Sequence, residues 1–537
     1  MKRILSFLLL MLFTVAVAAC GTTTTTRPTG TTGTTTTTTT TSSQSQTASV
    51  SVTTGTTTAT TTTTTTTTSG GLDACGVDRS GIAESEFVDL EYASIENQEI
   101  EELLLCEFQR QNPTIRVTNR PDILAMSGVA DNFTYSIVSL AAIGDIPDVF
   151  AVMQIDPLVQ NLLVYDFSDL WNADPDTTHV LPGAATAALY GDVRLGMVNG
   201  QVMQGIFVNK DLLEENNFDL EDYGFDFATG EIWNYQQMIQ LARDFTTRAR
   251  ARYDNNFYWG IDGDWNNLNF AWVLPAMDNL AWGLNSFDGS AFHFADPLYI
   301  DHFQREISLF QEGVKVDIKK DPAGAQLEFG STSPDLFFTE GRVLLYSSYT
   351  WNFDMIATSP QNLMFLPFPK GVGENAVART PSAIGILALS NTTEHPEEAY
   401  QLAKFMSWGE AGQLAKIAIH RSRGEHLTKF PVADFASVWN QIEQVYIDSE
   451  SPLYVEGFDM IMYPLLQTKQ AVMDFGKWLP GYSEFKNWYS YVQTESRRTD
   501  VLNGLILFAD VAQTWETKAN SLVSEKLELY KRYPNLS

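Results

Sequence analysis

His302 and Glu306 stand four residues apart in a stretch of helical periodicity, a spacing that puts two side chains on one helix face. A metal-dependent hydrolase would use such a pair together with a second histidine at zinc spacing. None lies nearby, so the pair reads as a surface contact. The chain contains no Gly-x-Ser-x-Gly elbow, no His-Glu-x-x-His and no phosphate-binding Gly-Lys-Ser/Thr loop. Its 65 acids could supply a glycosidase-like carboxylate pair almost anywhere, so their number decides nothing. The six histidines are scattered, and neither a metal nor a cofactor is expected. Aromatic residues in polar loops are more informative. Trp265 lies in Asp262-Gly-Asp-Trp-Asn-Asn, Trp272 and Trp282 follow, and Trp351 comes after Ser347-Ser-Tyr-Thr. Such rings either pack in a core or offer a flat face to a ligand.

Charge narrows the partners. With 34 basic and 65 acidic residues the net charge is −31, which argues against nucleic acid and against electrostatic docking on an anionic membrane. The N-terminus reads as an address. Lys2 and Arg3 precede an apolar run from Ile4 to Ala19, then Val17-Ala18-Ala19-Cys20. This is a secretory signal over 1–19, and Val-Ala-Ala-Cys resembles the bacterial lipobox. That resemblance implies lipidation of Cys20 and an anchor on the extracytoplasmic face of the cell membrane. Residues 21–70 hold 31 threonines and nothing that could form a core. Residues 20–80 are therefore expected to be a disordered tether, its 50-residue Thr-rich part reaching about 40 Å. Cys75 and Cys106 remain, in a compartment that permits a disulfide. They are either bridged, pinning the tether exit to the first helix, or two separate thiols.

From about residue 85 the chain alternates strands and helices. Phe87 to Tyr92 has the period of a strand. Ile100, Leu103, Leu104 and Phe108 recur at helical spacing, the helix ending before Pro113. Ile115 to Val117 forms a second strand. A helix over 135–142 ends at Gly144, and 147–152 forms another strand. Strand, helix, strand in about thirty residues implies a parallel sheet and an α/β fold.

The order of segments resembles the extracellular solute-binding proteins of sugar-type ABC importers (family 1). Glu107 to Val117, Ala141 to Phe150, Val208 to Leu213, Trp233 to Thr246, Phe338 to Tyr346 with Trp351, Leu366 to Gly371 and His395 to Tyr400 follow the family's motifs in the family's order. Phe207 stands where Tyr is usual, Asn234 replaces Asp, and about 446–477 resembles an insertion. Asn234 suits a helix N-cap, and Pro396-Glu397-Glu398 a helix start. The resemblance implies a two-lobe, type II periplasmic-binding-protein-like fold with a ligand cleft between lobes joined by crossing hinge strands. Lobe one would hold 85–196 and 383–475; lobe two would hold 197–382 and 476–537. It implies a binding protein rather than an enzyme, a small sugar ligand, ABC permease subunits as partners and no nucleic acid. Sugar recognition needs aromatic faces plus carboxylates and amides for hydroxyls. The candidate ligand-binding residues are Trp351, Trp488, Asp156, Trp265, Trp272, Glu96 and Tyr482. The alternatives are a secreted carbohydrate-active hydrolase, a surface adhesin, and the same fold holding another solute such as a polyol phosphate.

Overall fold

The computed structural model describes residues 72–534, apart from 264–269, 338, 374–375, 470 and 474–477. The predicted strand–helix–strand start is present. Strand β1 (Val88–Ala93) leads into the helix Gln98–Gln111 and then β2 (Ile115–Asn119). The helix starts where Asn97 accepts from the amides of Glu99 and Ile100, and it buries Ile100, Leu104, Leu105 and Phe108. β1 pairs with β2 in parallel, Val88 opposite Ile115, and also with β3 (Val149–Val152). The helix before β3 runs Phe133–Ala141.

A short hairpin, β4 (Leu189–Tyr190) and β5 (Val193–Arg194), precedes β6 (Met197–Asn209). All thirteen residues of β6 are buried, as expected for a strand covered on both faces. The remaining strands are β7 (Trp259–Gly263), β8 (Val343–Tyr349), β9 (Leu363–Pro367), β10 (Thr380–Leu389) and β11 (Ala471–Met473). The sheet order is β2-β1-β3-β10-β6-β8-β7, with β11 beside β10 and β9 beside β6.

Strand β6 belongs to two sheets. Its first half, Met197 to Met203, pairs antiparallel with β10. Its second half pairs with β8 from Gln204 to Val208 and with β9 from Gly205 to Asn209. The change of partner at Met203 and Gln204 is the crossing between the lobes. The ladder is irregular between Gly385 and Ile386, opposite Gly200. Gly200 has φ +143, and a Cβ on Gly385 would collide with Asn199 and the Lys429 ammonium. Glycine at both positions lets the strands bend and a lysine thread between them.

Helices cover both sheets. Tyr235–Tyr253 opens with a capping box of Asn234 and Gln237, and Pro396–Met406 opens on proline with Glu397 and Glu398 in its first turn. The region from 446 onward supplies the helix Asp459–Thr468 and β11, which extends the first sheet against Thr380 to Ser382. The C-terminal helices Tyr482–Tyr491 and Ala512–Tyr530 build an aromatic core with Phe292, Phe294, Phe303 and Phe508. The arm ahead of β1 is clamped to the first helix. Cys75 and Cys106 form a disulfide. Arg79 bonds Asp73 at 2.7 Å, Gln109 at 2.9 Å and the Ile115 carbonyl at 3.1 Å. Closing a loop of this length stabilises the fold by about 3–4 kcal/mol on the chain-entropy view.

Among the described residues no helix is long and apolar enough to cross a membrane. Correcting the sequence expectation, His302 and Glu306 are fully buried rather than on the surface. His302 Nε2 meets Asp278 at 2.7 Å, and Glu306 pairs with Lys315.

Candidate functional site: two faces around the strand crossing

The registers place the loops that matter. In the first lobe β10 runs from the crossing at Ser382 toward Leu389, and it lies antiparallel to β3 with Ile386 opposite Val152. The C-terminal ends of β3 and of its parallel neighbour β1 therefore point to the crossing. In the second lobe Tyr349, the end of β8, lies opposite Gln204, and β7 runs parallel to β8. Four strand ends converge there, the position where open α/β sheets bind ligands.

The first lobe brings polar groups. Glu96, in the loop after β1, pairs with Lys429, which also reaches Asn199 Oδ1 at 3.1 Å. Their side chains are 25% and 12% exposed, so the pair borders solvent without floating in it. Gln154, just after β3, accepts from the exposed Tyr135 hydroxyl at 3.0 Å. Beneath this layer Glu101 is buried and takes a hydrogen bond from Tyr92. Burial raises its carboxyl above the ordinary range, with the nearby Glu96 adding and Lys416 opposing.

The segment Thr428–Phe430 straps the crossing. Phe430 and Gln201 exchange both backbone hydrogen bonds, at 2.7 and 2.9 Å. Thr350 Oγ1 accepts from the Met203 amide at 3.2 Å and donates to the Thr428 carbonyl at 3.3 Å. Trp351, the next residue, lies against Tyr349 with centroids 4.4 Å apart. Glu96 and Trp351, from different lobes, thus flank the same strap.

The second lobe brings aromatic groups. A small cavity of about 50 Å³ is lined by Trp272, Asn285, Tyr482, Phe485, Lys486, Tyr489 and neighbouring rings. Trp272 lies in the segment leaving the end of β7 and meets Tyr489 edge-on, centroids 6.4 Å apart. Its carbonyl accepts from the Asn285 amide at 2.8 Å, while Asn285 Nδ2 donates to the Tyr482 hydroxyl at 3.4 Å. Asn285 adopts φ 56, a left-handed conformation that asparagine tolerates better than most residues. The wall behind Trp272 is fixed by charge. Glu306 accepts from the Ala271 amide at 2.6 Å and pairs with Lys315, whose ammonium lies 5.4 Å from the Phe270 ring centre.

Of the residues singled out from the sequence, Trp272 and Tyr482 share this cavity. Glu96 and Trp351 stand at the crossing. Trp488 is buried in the aromatic core, its Nε1 donating to Glu495 at 2.7 Å. Asp156 is interior as well, only 7% exposed, and accepts from the Gly481 amide at 3.1 Å and from the Tyr530 hydroxyl. Trp265 and Cys20 lie outside the described residues. Sequence reasoning missed Asn285, Lys486 and Lys429. Asn285 follows Gly283-Leu284 as a turn signal, whereas Lys429 carries no local sign. The described residues contain no group of His, Cys, Asp or Glu arranged to hold a metal.

A two-lobe α/β fold whose lobes are joined by crossing strands, with four strand ends converging at the crossing, defines a binding protein of the periplasmic type. The chain belongs to the bacterial extracellular solute-binding protein family, whose profile matches residues 136–422, more than half of its length. Among solved structures it is similar to the ABC substrate-binding protein Lmo0181 from Listeria monocytogenes in complex with cycloalternan. The identity is 17% and the TM-score 0.56, covering 81% of this chain and 98% of that one. The sugar-binding protein MalE from Xanthomonas citri matches at 15% identity and TM-score 0.56, covering 83% and 100%. The cyclic alpha-maltosyl-1,6-maltose binding protein from Arthrobacter globiformis matches at 13% identity and TM-score 0.57, covering 82% and 100%. At such identities the likeness is one of fold. No curated protein matches the chain in sequence.

Proposed function

We propose that the protein captures a carbohydrate, an oligosaccharide, between its lobes and delivers it to the permease of an ABC importer. The observation that carries this reading is the cavity of Trp272, Tyr482 and Tyr489 with Asn285 and Lys486 at its wall. Aromatic faces suit the apolar face of a pyranose, and the amide and ammonium suit its hydroxyls. Three structures of the same fold, named for a bound or recognised sugar, support it.

Capture proceeds by hinge closure about β6 and β10, the first lobe holding 85–196 and 383–475 and the second 197–382 and 476–537. Glu96, Lys429 and Gln154 then meet the exposed side of a sugar seated on the second lobe, and Trp351 covers the crossing. Capture and release need no bond-making, so the protein acts without catalysis. A diacylglyceryl group on Cys20 holds it at the extracytoplasmic face, and the threonine-rich segment serves as tether.

The test is a thermal-shift screen of the purified protein against monosaccharides, linear and cyclic glucooligosaccharides and polyol phosphates. A ligand at about 100 times its Kd adds roughly 2.7 kcal/mol to stability. The expected result is a rise in Tm with an oligosaccharide and no product on chromatography. A rise confined to polyol phosphates, or release of cleaved sugar, contradicts the proposal. Cys20→Ala is expected to move the protein from the membrane to the soluble fraction.

A further inference from the structure

Asp156 is a carboxylate of the first lobe whose partners all belong to the C-terminal segment. It lies in the first turn of the helix Ile155–Gln160, directly after β3. Both its oxygens lie within 3.2 Å of the Gly481 amide nitrogen, the Tyr530 hydroxyl donates to it, and Lys526 Nζ stands 3.8 Å away. Lys526 is shared with Glu484. Around this centre Tyr190 meets Tyr530 edge-on at 5.1 Å and donates to the Trp478 carbonyl, and Tyr533 donates to the Val164 carbonyl.

Gly481 is no ordinary partner. It adopts φ +75, a Cβ there would lie 2.7 Å from the Leu522 carbonyl oxygen, and it caps the N-terminus of Tyr482–Tyr491. That helix supplies Tyr482, Phe485, Lys486, Tyr489 and Ser490 to the cavity wall. Asp156 itself does not line the cavity. The carboxylate fixes one end of the helix, and the end it fixes carries Tyr482.

We propose that Asp156 is a positioning residue for the cavity: it holds the first turn of Tyr482–Tyr491 against the first lobe, so that losing its carboxylate loosens this helix and weakens ligand capture at a site it does not touch. The affinity half of this statement rests on the capture reading above. The positioning half does not.

The experiment compares the full-length protein with Asp156→Ala, Asp156→Asn and Tyr530→Phe. Hydrogen exchange of the 481–491 amides is measured without ligand, and titration calorimetry is run with maltotriose and with cyclic maltosyl-maltose. In Asp156→Ala, exchange across 481–491 is expected to accelerate at least tenfold while the helix Gln98–Gln111 is unchanged, and affinity is expected to fall at least fivefold. Asp156→Asn keeps an acceptor for the Gly481 amide and is expected to restore most of the protection, a rescue that general destabilisation would not give. Tyr530→Phe leaves that amide bond intact and is expected to exchange like the wild type at 481–485. Unchanged exchange at 481–491 in Asp156→Ala overturns the proposal, and so does faster exchange with unaltered affinity. If Asp156→Ala does not fold, Asp156→Asn decides: protection lost as completely as the fold itself would mark a purely structural role. A wild type that binds neither probe sinks the sugar reading alone, because exchange still decides the positioning.

Discussion

The two lobes meet the crossing with different chemistry. The first presents charged and amide groups, Glu96, Lys429 and Gln154, each tied to another polar group. The second presents rings: Trp351 lies tilted against Tyr349 beside the crossing, and Trp272, Tyr482 and Tyr489 line a small cavity within the lobe. Their support differs in the same sense. The polar face rests on a buried carboxyl, Glu101, which burial shifts toward its neutral form. The aromatic face rests on a saturated ion pair, Glu306 with Lys315, that fixes the backbone at Ala271. Stacking gains from desolvated area, whereas exposed hydroxyl contacts exchange one hydrogen bond for another. The second lobe should therefore carry most of the binding energy, and the first should select and close.

The largest effect that would break this contrast is on Glu306. Removing one partner of a fully buried pair costs about 3–5 kcal/mol. Glu306→Ala is expected to lower Tm by roughly 6–20 °C, at about 2–4 °C per kcal/mol, and to abolish sugar binding at temperatures where the wild type binds. Unchanged stability by calorimetry would remove the ion pair as the support of the aromatic face.

In the first lobe, burial pushes His420 down to about 4, with the Lys416 ammonium adding to it. The unfolded chain, with histidine near 6.5, takes up the proton first. His420 therefore contributes stability above pH 6.5 that is lost as pH falls toward 4, of order 3 kcal/mol in all. His420→Gln is expected to show a smaller drop in Tm between pH 7.5 and 4.5 than the wild type. Equal drops would remove this contribution.

Binding discriminates the faces further. Trp272→Ala removes a stacking surface and is expected to weaken oligosaccharide affinity about thirtyfold, or ~2 kcal/mol, with Tm nearly unchanged. Glu96→Gln keeps the shape and loses a charge at a half-open site, where ion pairs are worth about 0–1 kcal/mol. Its affinity is expected to change less than fivefold by calorimetry. Reversal of that order would mean that the first lobe dominates.

Much of this architecture was legible in the sequence. Periodicity at Val88–Asn119 and the ordered motifs from Glu107 to Tyr400 identify the fold because they reflect local requirements, such as the cap at Asn234 and the turn at Gly144. Trp272 was visible as a ring following the polar loop at 262–267, and Tyr482 through its place in the stretch that resembles the family's C-terminal segment. What local pattern could not show is pairing over long separations. His302 and Glu306 read as a surface pair because their partners, Asp278 and Lys315, lie off the helix. Asp156 read as a ligand residue because Gly481 and Tyr530 stand more than 300 positions away. Lys429 gave no signal at all, since its role depends on Gly385 leaving room for its ammonium.

The central claim, that the aromatic face of the second lobe captures an oligosaccharide, is tested most directly by titration calorimetry of the wild type and Trp272→Ala with linear and cyclic glucooligosaccharides. Saturable binding by the wild type, at least tenfold weaker in Trp272→Ala and without product, is the predicted result. A wild type that binds none of them, or a Trp272→Ala protein that binds equally well, would contradict it.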